Sequence, residues 1–151
     1  MGNSAASEGT LLSLDAPFPS IDTEFTRLDA QLRAAAIGHA HGMEKFSLTA
    51  LAREQLDRAR QASSGRSAAT VYGGHEHTLR QTVIALIEGR TLDEHENPGE
   101  ATVHVLTGRV RLAAGDAAWE GSAGDLLVVP MASHSLSALQ DSTILLTVAK
   151  A

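Results

Sequence analysis

The chain has 151 residues, no cysteine, and 12 Lys+Arg against 18 Asp+Glu, a formal net charge of −6. That length supports one domain with a sizeable core, and the missing thiol excludes disulfides, zinc–thiolate centres and cysteine nucleophiles. The acidic balance, without any basic run, excludes a nucleic-acid footprint and an anionic-membrane patch, since both need clustered positive charge.

Residues 1–19 are small and polar, with Pro17 and Pro19 at their end, and are predicted to form a flexible tail. They lack the cationic start and apolar run of a secretory signal, and no stretch of the chain has the apolar length of a membrane span. The expectation is a cytoplasmic protein without membrane contact. Residues 20–66 read as a helical extension. In "SIDTEFTRLDAQLRAAA", Phe25, Leu28, Leu32 and Ala35 fall at helical spacing behind a cap at Ser20 or Asp22. A second helix is predicted over 48–60 with Ser47 as N-cap. Its apolar stripe is Leu48, Leu51, Ala52, Leu56 and Ala59, opposite Arg53, Glu54, Arg58 and Arg60. "SSGRS" then ends that helix as a linker. "GHAHG", with His39 and His41, joins the two helices.

Residues 67–151 have a different texture. Short runs rich in Val, Ile and Leu are divided by "YGG", "EGR", "NPGE", "AAGD" and "GSAGD", and "STILLTVA" gives a closing strand. Seven or eight short strands separated by glycine turns predict an all-β sandwich or barrel. Gly99, Gly108 and Gly124 sit where tight connections favour positive φ, and Pro130 follows an apolar strand, where its missing N–H interrupts no ladder. A hairpin is expected around Gly115-Asp116, with Trp119 on its return strand. By strand parity Ala101, Val103 and Val105 point into the barrel and are small enough to leave a cavity. Thr102, His104 and Leu106 point away, which assigns His104 to the outer sheet face or a subunit contact.

Spaced motifs on this background carry a family resemblance. Gly89 is followed after five residues by His95, and Gly108 closes the next strand in "VHVLTGRV"; Gly124 is followed after five residues by Pro130, with His134 beyond. In this pattern the chain resembles the cupins, small β-barrels of the double-stranded jelly-roll type, over about Gly74 to Ala149. The resemblance implies a divalent transition metal (Fe, Mn, Zn or Ni) held by histidines and a glutamate from the two motifs. It also implies a small organic ligand or substrate in the barrel and pairing into a homodimer. His95 and His134 keep two of the implied positions. Asn97 stands where a second histidine is expected and Ala101 where the glutamate is expected; Glu100 is adjacent, on the opposite face of a regular strand.

A transition metal wants three or four donors. Here His95 and His134 supply two, Asn97 a weak oxygen, and Glu100 reaches inward only through a bulge at "NPGE". Three readings follow. One is a metal-dependent enzyme of dioxygenase, isomerase or cyclase type. The second is a metal-free ligand-binding or sensor module. The third is a purely structural barrel, which requires an interior filled with apolar side chains. His77, Leu79, Gln81 and Val83 share one strand face, and an inward face adds His77 and Gln81 to the pocket. His75 and His77 also have the spacing of a metal-binding pair, or of a solvated strand entrance. Ser133, His134 and Ser135 make no hydrolase centre, because no nucleophile elbow is present and neighbours on a strand diverge.

Overall fold

The computed structural model describes residues 42–95 and 99–150, with backbone alone at 94 and 95. The predicted tail, the first predicted helix, "GHAH" and Asn97 lie outside the described residues.

The first described element is helix α1, Leu48–Gln61. Ser47 caps it as the sequence predicts: its backbone is extended and its Oγ accepts the Ala50 N–H at 3.1 Å. Arg58 and Arg60 in the last turn complement the C-terminal end of the helix dipole. The buried stripe is Ala52, Gln55 and Ala59. An apolar count misses Gln55, which is satisfied by the hydroxyl of Ser67. The linker is shorter than expected, because Arg66 and Ser67 already pair with Leu86 and Ala85.

Nine strands follow among the described residues: β1 (Arg66–Tyr72), β2 (Leu79–Leu86), β3 (Thr91–His95), β4 (Glu100–Thr107), β5 (Arg109–Ala114), β6 (Ala117–Ser122), β7 (Leu126–Val129), β8 (His134–Ala138) and β9 (Ser142–Ala149). They form two antiparallel sheets, one in the order β1-β2-β9-β4-β7 and the other β3-β8-β5-β6. The main core lies between the sheets, and Leu86, Val105, Val110 and Ile144 in it are at most 2% exposed. Each such side chain contributes on the order of 1.5–3 kcal/mol relative to exposure. A second cluster, Ala52 with Val83 and Leu145, glues α1 to the outer face of the five-stranded sheet. The β5–β6 hairpin turns at Gly115 as expected, and Trp119 on its return strand is opposite Leu112.

Two of the three turn glycines have the expected left-handed backbone: Gly108 at φ +82° and Gly124 at φ +94°. Gly99 is needed for a different reason. A Cβ there would stand 2.1 Å from the Ala149 carbonyl oxygen, so close strand approach, not dihedral freedom, fixes the residue.

Asp141, in the β8–β9 turn, ties three segments together. Its Oδ1 accepts the Glu88 N–H at 2.8 Å and its Oδ2 accepts from Arg60 of α1 at 3.2 Å. The backbone hydrogen bond, then Arg60, hold its carboxyl below the ordinary value of 3.8. A lowered folded-state value makes the stabilisation complete above the ordinary carboxylate range and lost as pH falls through the lowered value. Urea titrations of Asp141→Asn are therefore expected to show a small loss at pH 7 that vanishes near pH 2; a loss that persists in acid would contradict the ionic origin.

Candidate functional site

The β3–β8 ladder brings the two motif histidines together at the backbone level. Leu92 is paired with Leu136, but His95, three residues on, is paired with His134, two residues back. One extra residue in β3 therefore sets 95 opposite 134. His134 is 3% exposed and lines the barrel interior with Leu92, Val103, Leu112, Val129, Leu136, Ile144 and Leu146. Its Nδ1 is 2.9 Å from the Ala132 carbonyl oxygen. A carbonyl only accepts, so Nδ1 carries the proton, and in the neutral ring Nε2 holds the lone pair.

The void at this site is about 20 Å³, room for roughly one water. The inward residues Ala101, Val103 and Val105 are buried as parity predicts. Among the described residues the space beside them is small, because the larger Leu92, Leu112, Leu136, Ile144 and Leu146 lie opposite them.

Glu100 is exposed at the start of β4. Its pairing with Ala149, and that of Ala101 with Val148, is regular. The bulge that would turn Glu100 inward is absent from the described register, and the small Ala101 takes the inward position. Gln81 shares the face of Val83, which packs under α1, and its Nε2 donates to Thr147 Oγ1 at 3.3 Å. That face looks outward, so Gln81 adds nothing to the interior. His77 lies in the β1–β2 turn with its ring edge-on to Tyr72, centroids 5.2 Å apart. His75, beside it, is exposed. His104 lies half-buried on the outer face between Leu126 and Leu145.

The inward face of β2 instead presents residues that hydrophobic patterning passes over. Ile84 belongs to the inner core, so Thr82 and Arg80 share its face. Arg80 is 6% exposed, Thr82 1%, and Thr70, the partner of Thr82 on β1, 0%. Thr70 Oγ1 has no hydrogen-bond partner among the described residues. Gly73, at φ +108°, lies over Arg80: a Cβ there would stand 3.1 Å from Arg80 Cγ and 2.5 Å from the Leu79 oxygen. The cross-sheet row Arg80–Val148–Ala101–Val129 ends at a residue that lines the void with His134. Arg80, Thr82 and Thr70 thus form a buried polar group on β1 and β2, level with Val129 but three strands away from it across the sheet. The only sequence signals for it are the glycine pair of "YGG" and a charged residue on a strand.

No protein-family model and no curated protein matches the sequence. Solved structures do. An RmlC-like cupin from Desulfovibrio desulfuricans is 22% identical, with 74% of this chain and 95% of that chain covered, at a TM-score of 0.52. A cupin superfamily protein from Desulfitobacterium hafniense is 15% identical over 57% and 78% of the two chains, at a TM-score of 0.53. A conserved protein of unknown function from Streptococcus pyogenes is 22% identical over 77% and 97%, at a TM-score of 0.55. The chain has the cupin fold.

In this cupin barrel the candidate metal donors His95, Glu100 and His134 come from β3, β4 and β8. His95 and His134 are register partners, Glu100 is turned outward and Ala101 fills the inward position. No group of three His, Asp or Glu side chains gathers among the described residues. A transition-metal centre needs three or four donors, and among the described side chains His134 alone of these candidates lines the interior, so the described side chains do not make up such a centre by themselves. No helix among the described residues is long and apolar enough to cross a membrane.

Proposed function

We propose that this cupin barrel is a metal-free binding module for a small organic acid, held at the end of the barrel where Arg80 and His134 lie. One observation carries the reading. Arg80, Thr70 and His134 are three buried polar side chains inside an apolar sandwich, and the Thr70 hydroxyl lacks a partner among the described residues. A guanidinium binds a carboxylate through paired, charge-assisted hydrogen bonds. A buried orphan hydroxyl calls for a ligand or water. Among the described residues the apolar middle leaves a void of only about 20 Å³, which favours a ligand held nearer the polar end. The ligand is therefore compact and sits at the polar end.

A second reading keeps the metal-assisted enzyme of dioxygenase, isomerase or cyclase type. It is favoured only by the pairing of positions 95 and 134, and it needs donors from outside the described residues.

Thermal unfolding after EDTA dialysis separates them. Saturating small mono- and dicarboxylates are expected to raise the midpoint by about 5 °C, in line with the roughly 2.7 kcal/mol that a ligand at a hundred times its Kd supplies. The matching neutral amides should do nothing. Thr70→Val should be about 1 kcal/mol more stable than wild type without ligand, since it removes an unsatisfied buried hydroxyl, and should lose part of the acid response. Arg80→Met should lose all of it. Stabilisation that appears only when metal is restored would favour the enzyme, and no response to any acid would end the binding proposal.

A further inference from the structure

The two sheets end together on one side of the sandwich. β7 is the last strand of the five-stranded sheet and β6 the last of the four-stranded one. A turn at 123–125 joins them, with the Asp125 N–H donating to the Ser122 carbonyl at 2.9 Å. A Cβ on Gly121 of β6 would stand 3.1 Å from Leu127 Cδ1 of β7, so one edge lies beneath the other. Apolar surface collects here: Leu126 is 61% exposed, Val128 76% and Trp119 72%, and Met131, just past β7, is exposed as well. Trp119 is opposite Leu112, which is buried in the inner core, so the two share the inward face of their sheet. An inward-facing tryptophan is thus open to solvent at the unclosed side of the sandwich.

We infer that this side is the contact with a second copy of the chain, made by β7 pairing antiparallel with β7 of that copy about a two-fold axis at Leu127. Backbone geometry carries the inference. The Val105 N–H donates to the Asp125 carbonyl at 2.9 Å, in line with the register that pairs Ala101 with Val129 and Val103 with Leu127. Bonded pairs of an antiparallel ladder alternate with non-bonded ones. Leu127 and Val129 therefore turn their N–H and C=O groups to β4, and Leu126 and Val128 turn theirs to the opposite edge. No described strand lies there. Pro130, next in that alternation, has no N–H to give. Gly124, the one before, already donates to the Val105 carbonyl at 2.8 Å. Two donors two residues apart define one symmetric register, with Leu126 of each copy against Val128 of the other and both Leu127 residues on the axis.

Free edges are commonly blunted by lysine, by proline within the strand or by inward charge, whereas β7 reads Leu-Leu-Val-Val. The two-fold contact uses one edge per copy and closes at two, so it does not propagate. Area agrees as well. At roughly 150–250 Å² for a large side chain, Trp119, Leu126, Val128 and Met131 leave on the order of 500 Å² bare per copy. A stable interface begins near 600 Å² per partner, about what the β7 backbone adds to that figure. An axis normal to the sheet keeps both four-stranded sheets on the same side, so each Trp119 is roofed by the joined strands. The contact lies outside the proposed acid site and does not depend on it.

Sedimentation of the full chain across the micromolar range tests the pairing, read beside the emission of Trp119, the single tryptophan. A monomer–dimer equilibrium with a micromolar Kd is expected, as suits an interface at the small end of the range. Trp119 emission should move to shorter wavelength in step with the dimer. Val128→Pro removes an edge-facing N–H without touching the bonds to β4. It should weaken the dimer by about 100-fold or more, while the amides of β2 and β9 stay protected as in wild type. Leu126→Lys with Val128→Lys changes only exposed side chains and should do the same. Because the chain has no cysteine, Leu127→Cys can link only two copies. On the axis its Cα atoms would stand about 4.5 Å apart, within disulfide reach, so mild oxidation should give a covalent dimer, and Asp116→Cys at the hairpin tip should not. A chain that stays monomeric throughout overturns the proposal and leaves the edge to a partner of another sequence. Association beyond two, a dimer that survives both edge variants, or linkage at Asp116→Cys as fast as at Leu127→Cys would overturn it equally.

Discussion

Gly108→Ala is expected to cost the barrel about 4 kcal/mol or more, enough to unfold much of a domain of ordinary stability. Two penalties coincide at this turn between β4 and β5. The backbone is left-handed at φ +82°, and an added Cβ would stand 2.3 Å from the Asp141 carbonyl oxygen and 2.3 Å from Ser142 Oγ. Neither neighbour can retreat. Ser142 Oγ accepts the Arg109 N–H at 2.9 Å and donates to a backbone carbonyl, so it is locked into the same turn. Gly124→Ala is the control. Its φ of +94° is as unfavourable, but no atom lies within 4 Å of the added carbon, so the loss should be only the left-handed cost of about 1–2 kcal/mol. Urea unfolding of the two variants side by side measures the difference, and equal losses would show that the contact at Gly108 is not what constrains the residue.

Ile144→Ala should lose about 3–5 kcal/mol, near the top of the usual range for a large-to-small core change. Ile144 is 1% exposed in the middle of β9, and its backbone is held on both sides, by Ile84 of β2 and Val105 of β4. Ladders on both flanks prevent the sheet from collapsing into the space vacated. The side chain also lines the existing void of about 20 Å³, whose other walls are apolar except for His134, so the deletion enlarges a mostly apolar hole. Such holes accept benzene or xenon. The variant is expected to gain stability in benzene-saturated buffer, and wild type to gain none. A loss under 1 kcal/mol, or a wild-type protein that already takes up benzene, would mean that the interior is loosely packed, contrary to the filled core described above.

The barrel is legible in the sequence because its punctuation is local. Ser47 caps, Gly108 and Gly124 turn, and the alternation from Ala101 to Leu106 states which side chains face in; each requirement is set within a few residues. The site is less legible because facing is decided at a distance. Whether Gln81 or Arg80 looks into the barrel depends on which side of β2 receives α1, a contact between Ala52 and Val83 that no pattern within β2 encodes. Hydrophobic counting favours the face that carries Val83, and Val83 is buried, but under the helix. Glu100 is a similar case: "NPGE" allows a bulge, and the regular pairing of β4 with β9 declines it. The small void was hidden for a third reason. Three small residues on one strand suggest space, but the volume is set by Leu112, Leu136 and Leu146 on strands that come later in the chain.

The place of β9 has a consequence for how the chain is made. It is the last of the described strands, and it lies in the centre of the five-stranded sheet, between β2 and β4. Until residues 142–149 leave the ribosome, β1–β2 and β4–β7 are two ribbons with nothing to join them, and each presents an unpaired edge. Assembly therefore waits for residues 142–149 and closes contacts far apart in the chain, a slow kind of folding that exposes sticky edges meanwhile. Loss of β9 would therefore cost this fold far more than loss of β7, which lies at the edge of the same sheet.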